Sequence, residues 1–150
     1  MEKLFIFSGI STLFFSCTNS QNSTRYELIG GPCEGCEAVL EFKGRKLTDT
    51  DTLPGFEEPG EQLRLSGTVY HNDNKTPAKD IIIYFYQTNQ EGLYSPNQGA
   101  RGWEKRHGPI RTWIKTNDNG RYTIYTLKPA PYPSRSEPAH IHAIILEPDG

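Results

Sequence analysis

The sequence lacks the features that mark nucleic-acid-binding, polytopic membrane and helical proteins. Its 16 Lys and Arg nearly balance its 18 Asp and Glu, so no basic surface predicts a nucleic-acid partner. Beyond the N-terminal leader, no apolar run is long enough for a transmembrane helix. Amphipathic helical periodicity is also missing. What the chain does contain is 14 Gly and 11 Pro among Thr, Tyr and Ile, a composition that favours short strands joined by turns.

Residues 1–17 predict a lipoprotein-type signal peptide. Lys3 precedes an apolar run that is short for a bilayer span and ends at Ser16-Cys17. The segment 14–17 resembles a bacterial lipobox, in which the cysteine becomes the lipidated first residue of the mature protein. We therefore expect an exported, membrane-anchored lipoprotein, periplasmic or at the cell surface, that touches the membrane only through a lipid on Cys17. Ordinary secretion is the alternative.

The other two cysteines, Cys33 and Cys36, end a polar segment, 18–36, that predicts a flexible tether. Outside the cytoplasm a local disulfide is the expected state of such a pair. Its loop is short, so the stabilisation it gives is small. A redox-active pair and half of a zinc site are the alternatives.

The remaining sequence predicts an all-β fold, an antiparallel β-sandwich with long loops and little helix. The predicted strands are 37–43, 62–71, 79–87, 110–116, 121–127 and 140–147. Residues 79–87 are apolar on both faces and should form a central strand. The turn at Asn119-Gly120 predicts that 110–116 and 121–127 pair with each other as a hairpin. Residues 44–61 and 88–109 are predicted loops, and the length of the second suggests a functional role.

Two histidines and two tyrosines are candidate metal ligands. His140 and His142 are two residues apart, so in a strand their side chains lie on the same face. Tyr132 precedes them in a proline-rich turn, and Tyr94 lies in the long loop. Phenolate is a hard anionic ligand, so two phenolates with two imidazoles favour ferric iron over zinc. Ordinary solvent-facing histidines, or zinc or copper on the histidine pair alone, are the alternatives.

These residues stand in motifs that resemble the intradiol ring-cleavage dioxygenases, such as catechol and protocatechuate dioxygenases. The resemblance extends from about Gly67 to Pro148. It rests on Gly67-Thr68-Val69, Pro77, Tyr86-Gln87-Thr88, Glu91-Gly92-Leu93-Tyr94, the segment 116–122, the segment 126–133 and, most specifically, Pro138-Ala139-His140-Ile141-His142.

The resemblance implies a non-haem Fe(III) centre whose ligands are Tyr94, Tyr132, His140 and His142. It implies that Tyr132 leaves when substrate binds and accepts a proton. The implied reaction cleaves the ring of a catechol-type aromatic diol with O2, between the two hydroxyl-bearing carbons, to a muconate-type dicarboxylate.

An arginine usually stands three residues before the first ligand histidine in this family, where it stabilises charge on the substrate ring. Here that position is Glu137. Arg135 and Arg111 are therefore the candidates for this catalytic role. His71 and His107 are expected to lie outside the ligand set.

The implied organisation is a signal peptide (1–17), a tether with the Cys-x-x-Cys segment (18–36) and a dioxygenase-like β-sandwich domain (37–150). Family members usually continue with at least one more strand, whereas this sequence ends eight residues after His142, so the expectation is either a C-terminally truncated form or a sandwich that lacks an edge piece. A homo-oligomer is compatible with the sequence. The alternative function is a non-catalytic, transthyretin-like or carboxypeptidase-regulatory-like binding module of a surface lipoprotein.

Overall fold

The computed structural model describes Cys33 and residues 35–147. The predicted signal peptide, Cys17 and nearly all of the tether lie outside the described residues. None of the helices within this part of the chain has the length and apolar character needed to cross a membrane. In chain order the elements are a 3₁₀ helix (Cys36–Phe42), β1 (Thr50–Thr52), β2 (Gln62–Thr68), β3 (Ile82–Gln87), α1 (Glu104–His107), β4 (Arg111–Lys115), β5 (Arg121–Leu127) and β6 (Ile141–Leu146).

The strands form two three-stranded sheets, ordered β1-β5-β2 and β4-β3-β6. Only β1 and β5 run parallel; the other pairings are antiparallel. The all-β fold class predicted from the sequence is therefore confirmed.

Strand β3 is buried along its whole length because both of its faces are covered. Ile83 and Phe85 point into a core between the two sheets. Ile82, Tyr84 and Tyr86 point the other way, into a second core beneath the 3₁₀ helix and the long loop after β3. The prediction of a central strand here is confirmed, since β3 lies between β4 and β6.

The predicted hairpin between β4 and β5 is wrong. β4 pairs with β3, whereas β5 pairs with β1 and β2 in the other sheet. The turn at Asn117–Gly120 has the expected positive φ at Gly120, +66°. It nevertheless carries the chain from one sheet to the other, because Ile114 and Ile124 both bury their side chains in the core between the sheets.

Two smaller predictions also fail. The expected strand at 37–43 is the 3₁₀ helix, which buries Ala38 and Val39 against the outer face of β3. A short apolar run has no periodicity that separates strand from helix. The expected loop at 44–61 contains β1, whose three residues are too polar to be recognised as a strand.

The predicted disulfide between Cys33 and Cys36 is confirmed, with a Cα–Cα distance of 5.6 Å. It closes a turn in which Gly35 adopts a positive φ of +84°. This turn leads directly into the 3₁₀ helix.

Candidate active site

Four side chains from three segments meet at one end of the sandwich. Tyr94 comes from the loop after β3, Tyr132 from the proline-rich segment after β5, and His140 and His142 from the start of β6. The hydroxyl oxygens of the two tyrosines are 2.9 Å apart. The Tyr132 hydroxyl lies 3.2 Å from Nε2 of His140 and 3.3 Å from Nε2 of His142. The two Nε2 atoms are 3.0 Å apart, so the two imidazoles lie side by side as the spacing predicted.

The two tyrosine-bearing segments are joined by close backbone contacts. The Thr88 hydroxyl donates a hydrogen bond of 2.8 Å to the carbonyl of Ala130. Gly92 has a φ of +75° and lies so near Pro131 that a Cβ would be 2.1 Å from the Pro131 carbonyl oxygen. These contacts hold the backbone just before each tyrosine and bring the two phenol rings together.

A hydrogen bond at Nδ1 of His140 orients the lone pair on its Nε2 atom toward this cluster. Nδ1 of His140 lies 2.8 Å from the carbonyl oxygen of Pro138, which can only accept a hydrogen bond. The proton therefore sits on Nδ1, and Nε2 presents its lone pair toward Tyr132 and His142.

Burial favours the uncharged forms of two of these side chains. It lowers the pKa of His142, and the neighbouring His140 adds to the effect, which favours the neutral imidazole. It also raises the pKa of Tyr94, with the hydrogen bond to Tyr132 as a further cause. A phenolate at Tyr94 therefore requires a nearby positive charge.

The donor set fits a ferric ion. Oxygen and nitrogen ligands lie about 2.0–2.2 Å from a first-row metal, so neighbouring ligands are about 3 Å apart. The spacings of 2.9–3.3 Å match this value. Within residues 35–147 and Cys33, no three His, Cys, Asp or Glu side chains come close enough to hold a metal. A metal at the histidine pair would therefore need the two hard phenol oxygens, which suit a trivalent ion.

A cavity of about 610 Å³ opens next to the cluster. Tyr94, Tyr132 and His142 line it together with rings and apolar groups, including Trp103 and Ile144. Its volume is in the range of about 300–1,000 Å³ that is typical of small-molecule sites. A flat aromatic molecule can thus reach three of the four donors.

The structure does not bring Arg111 into this cavity. Its guanidinium lies 2.7 Å from the Glu41 carboxylate and 3.7 Å from that of Glu104. It also lies 5.1 Å from the centre of the Trp113 ring. Burial alone would lower the pKa of Arg111, but the hydrogen bond to Glu41 raises it overall, so the charge is held in an ion pair.

Arg135 lies closer to the predicted site than Arg111. Its guanidinium carbon is 5.4 Å from the centre of the Tyr132 ring, within the range of a cation–π contact. Glu137, at the position of the family arginine, is exposed.

Two rings support the site although the sequence did not predict this role for them. Tyr86 is paired with His142 across the β3–β6 ladder and stacks on its imidazole, with centroids 4.4 Å apart. His107 is buried, lines the same cavity and stacks on Tyr86 at 3.9 Å. A tyrosine in a fully buried strand needs a hydrogen-bond partner for its hydroxyl. This requirement is the one sequence feature that could have indicated a role for Tyr86. Nothing in the sequence pattern indicates that His107 folds back onto it.

The model of a protein family described as "Dioxygenase" matches residues 38–149, most of the chain. The chain belongs to the intradiol ring-cleavage dioxygenase family. The match contains all four residues of the cluster, and it begins within the 3₁₀ helix, so that helix belongs to the intradiol dioxygenase domain.

Solved structures with the same fold come from several organisms. The dioxygenase domain of a dioxygenase–carbohydrate-binding fusion protein from Streptomyces sp. SirexAA-E is 22% identical, with a TM-score of 0.53 over 83% of this chain and 67% of that one. Catechol 1,2-dioxygenase from Acinetobacter sp. ADP1, inhibited by bound mercury, is 24% identical, with a TM-score of 0.53 over 67% and 37%. An intradiol ring-cleavage dioxygenase from Tetranychus urticae is 25% identical, with a TM-score of 0.50 over 69% and 52%. The chain thus spans between 37 and 67% of the length of these three proteins.

Proposed function

We propose that this domain is a non-haem ferric intradiol dioxygenase that cleaves a catechol-type aromatic diol with O2 to a muconate-type dicarboxylate. The observation that carries the proposal is the convergence of the Tyr94, Tyr132, His140 and His142 donor atoms at 2.9–3.3 Å. A β-sandwich binding module has no need to place two phenols and two imidazoles in contact beside a cavity. Family membership supports the same reaction.

When bound, the ferric ion would act as a Lewis acid toward the diol and O2. Tyr94, Tyr132, His140 and His142 are the residues that would hold it. The Tyr94 ring packs against the Tyr86 ring, with centroids 5.9 Å apart, and the backbone of Tyr94 lies beside Gly108.

Of the four candidate ligands, Tyr132 is the one that substrate is expected to displace. Its hydroxyl is central, because it contacts the other three donors, and its backbone lies outside the strands. Displaced as a phenolate, Tyr132 would accept a proton from a substrate hydroxyl at its Oη atom. Arg135 lies over the Tyr132 ring, within the range of a cation–π contact.

The cavity walls hold the aromatic ring of the diol. Trp103, Ala143 and Ile144 supply apolar surface in the same cavity as the donors. Cleavage between the two hydroxyl-bearing carbons with both atoms of O2 gives two carboxyl groups, so the reaction consumes no external reductant.

The test is the absorption spectrum of the purified protein after loading with ferric salt. A tyrosinate-to-ferric charge-transfer band should give a burgundy-red colour that shifts when catechol is added, with O2 uptake and formation of a dicarboxylate. Tyr94→Phe should weaken and shift the band, because Tyr132 remains as a tyrosinate, and Tyr94→Phe/Tyr132→Phe should abolish it. Tyr70→Phe, at a half-exposed tyrosine outside the site, should do neither. A folded protein that stays colourless with one equivalent of ferric ion would refute the proposal.

We also propose that the domain is exported as a lipoprotein anchored through Cys17, on the basis of the signal-like segment 1–17. Metabolic labelling with a fatty acid should mark the wild-type protein and not Cys17→Ala. Unlabelled wild-type protein recovered in the cytoplasm would contradict this proposal without affecting the ring-cleavage chemistry.

A further inference from the structure

Three rings form one stack that ends on a candidate metal ligand. The Tyr86 ring lies 4.4 Å from the His142 ring with an angle of 6° between the planes. It lies 3.9 Å from the His107 ring with an angle of 8°. Two rings at these distances cannot share one face of the phenol, so His107 and His142 lie on its opposite faces.

His107 forms the end of this stack that is far from the candidate ligand, and several groups contact it. Nδ1 of His107 lies 3.0 Å from the Tyr84 hydroxyl, and the Trp103 ring is 5.1 Å away. The side chain is only 6% exposed. Gly35, within the disulfide-closed turn, approaches so closely that a Cβ there would be 2.6 Å from Nε2 of His107. These contacts hold the His107 ring against Tyr86.

The two candidate ligand histidines are oriented in different ways. His140 is fixed by the hydrogen bond from its Nδ1 to the Pro138 carbonyl, as metal-ligating histidines commonly are. Among the described residues, Nδ1 of His142 has no hydrogen-bond partner, and the contacts of its ring are the donor cluster and the stack. The stack on Tyr86 therefore fixes the orientation of the His142 ring, just as the hydrogen bond to a backbone carbonyl fixes the orientation of the His140 ring.

We propose that His107 is a positioning residue for the metal centre: it presses the Tyr86 ring against His142 and so fixes the direction of the Nε2 lone pair. The inference rests on the proposed function, in which His142 binds a ferric ion. Its basis is steric and geometric. It requires only that His107 fill the space behind Tyr86 with a flat ring.

The test compares His107→Ala with His107→Phe, and with His71→Ala as a matched control at an exposed histidine in a turn. Ferric affinity is measured by competition with a chelator, the charge-transfer band by absorption, and folding by circular dichroism. Loss of a group that orients a ligand typically costs about 10- to 100-fold in metal affinity, and we expect this loss with a broadened band for His107→Ala. His107→Phe keeps a flat ring but loses the contact with the Tyr84 hydroxyl, and should restore most of the affinity. His71→Ala should match the wild type.

Two results would overturn the inference alone. One is wild-type ferric affinity in His107→Ala. The other is an equal loss in the alanine and phenylalanine variants, which would assign the effect to the hydrogen bond with Tyr84. If His107→Ala does not fold, Tyr86→Phe against Tyr86→Leu gives the same comparison, since only the first keeps a ring on His142. A wild-type protein that takes up no ferric ion would instead refute the proposed function.

Discussion

Gly92 packs against the backbone carbonyl of Pro131 at a distance that no other residue type tolerates. A Cβ at Gly92 would lie 2.1 Å from that oxygen. Gly92 is two residues before Tyr94, and Pro131 immediately precedes Tyr132. The contact therefore sets the separation of the two phenol oxygens.

Gly92→Ala should push these segments apart and weaken ferric binding. Gly99→Ala is the control, because Gly99 has a similar φ of +81° but nothing within 4 Å of its Cβ position. The left-handed backbone alone costs a non-glycine residue about 1–2 kcal/mol in either variant. The clash at Gly92 adds about 1–3 kcal/mol, as overpacking does elsewhere. Urea denaturation and ferric titration measure both effects, and equal behaviour of the two variants would contradict the prediction.

Arg111 should be needed for stability rather than for turnover. Arg111→Met leaves the Glu41 carboxylate without its partner at a site where the arginine is only 10% exposed. Breaking a fully buried ion pair costs about 3–5 kcal/mol; because the Glu41 side chain is 29% exposed and keeps the hydrogen bond from the Trp103 N–H, we expect about 1–3 kcal/mol here. Lys128→Met, which breaks the exposed pair with Glu61, should cost less than about 1 kcal/mol. If Arg111→Met left stability unchanged but reduced ring cleavage, the prediction would be contradicted and a catalytic role for Arg111 would be supported.

Removal of the disulfide should be tolerated by the fold. The double variant Cys33→Ser/Cys36→Ser opens a loop with only two residues between the cysteines. Loop-closure entropy for so short a loop is about 2 kcal/mol, which is the expected loss in free energy of unfolding. Reduced wild-type protein should unfold at the same urea concentration as the double variant. A much larger loss would mean that the turn at Gly35 depends on the bond.

Charge reversal at Glu137 should strengthen substrate binding. Its carboxylate stands at the sequence position where the family has an arginine, and it would oppose the electron-rich diol of the proposed reaction. Reversing one exposed charge near a charged ligand is worth about 1–2 kcal/mol, so Glu137→Arg should lower KM by up to about tenfold. Glu57→Arg makes the same change in net charge at an exposed position in another loop. An equal response of the two variants would mean that Glu137 does not face the substrate.

The parts of the fold that follow from local pattern were predictable. β3 is apolar on both faces and is central, and the spacing of His140 and His142 put both rings on one face. Strand pairing was not predictable in the same way. The Asn119-Gly120 turn looks like that of a hairpin, yet its two strands join different sheets, because burial of Ile114 and Ile124 between the sheets outweighs local pairing.

Of the site residues, the sequence predicted only the four candidate ligands, which stand in motifs of the family resemblance. Tyr94 and Tyr132 are 38 residues apart and were brought together by family resemblance. The role of each as a metal ligand stays a prediction. Tyr86 stands in one of the motifs of the resemblance and His107 in none, but no motif predicts that the two rings stack. That stack depends on how the long loop folds over the outer face of β3.

The candidate ligands also have a consequence for the order of events in folding. Tyr132 follows a strand of one sheet, whereas Tyr94 and the histidines belong to the other. A complete ligand set therefore exists only after the two sheets have docked. In the proposed function, ferric ion should accordingly be captured late, by the assembled sandwich. It should then slow the separation of the sheets, since it would bind the native state alone.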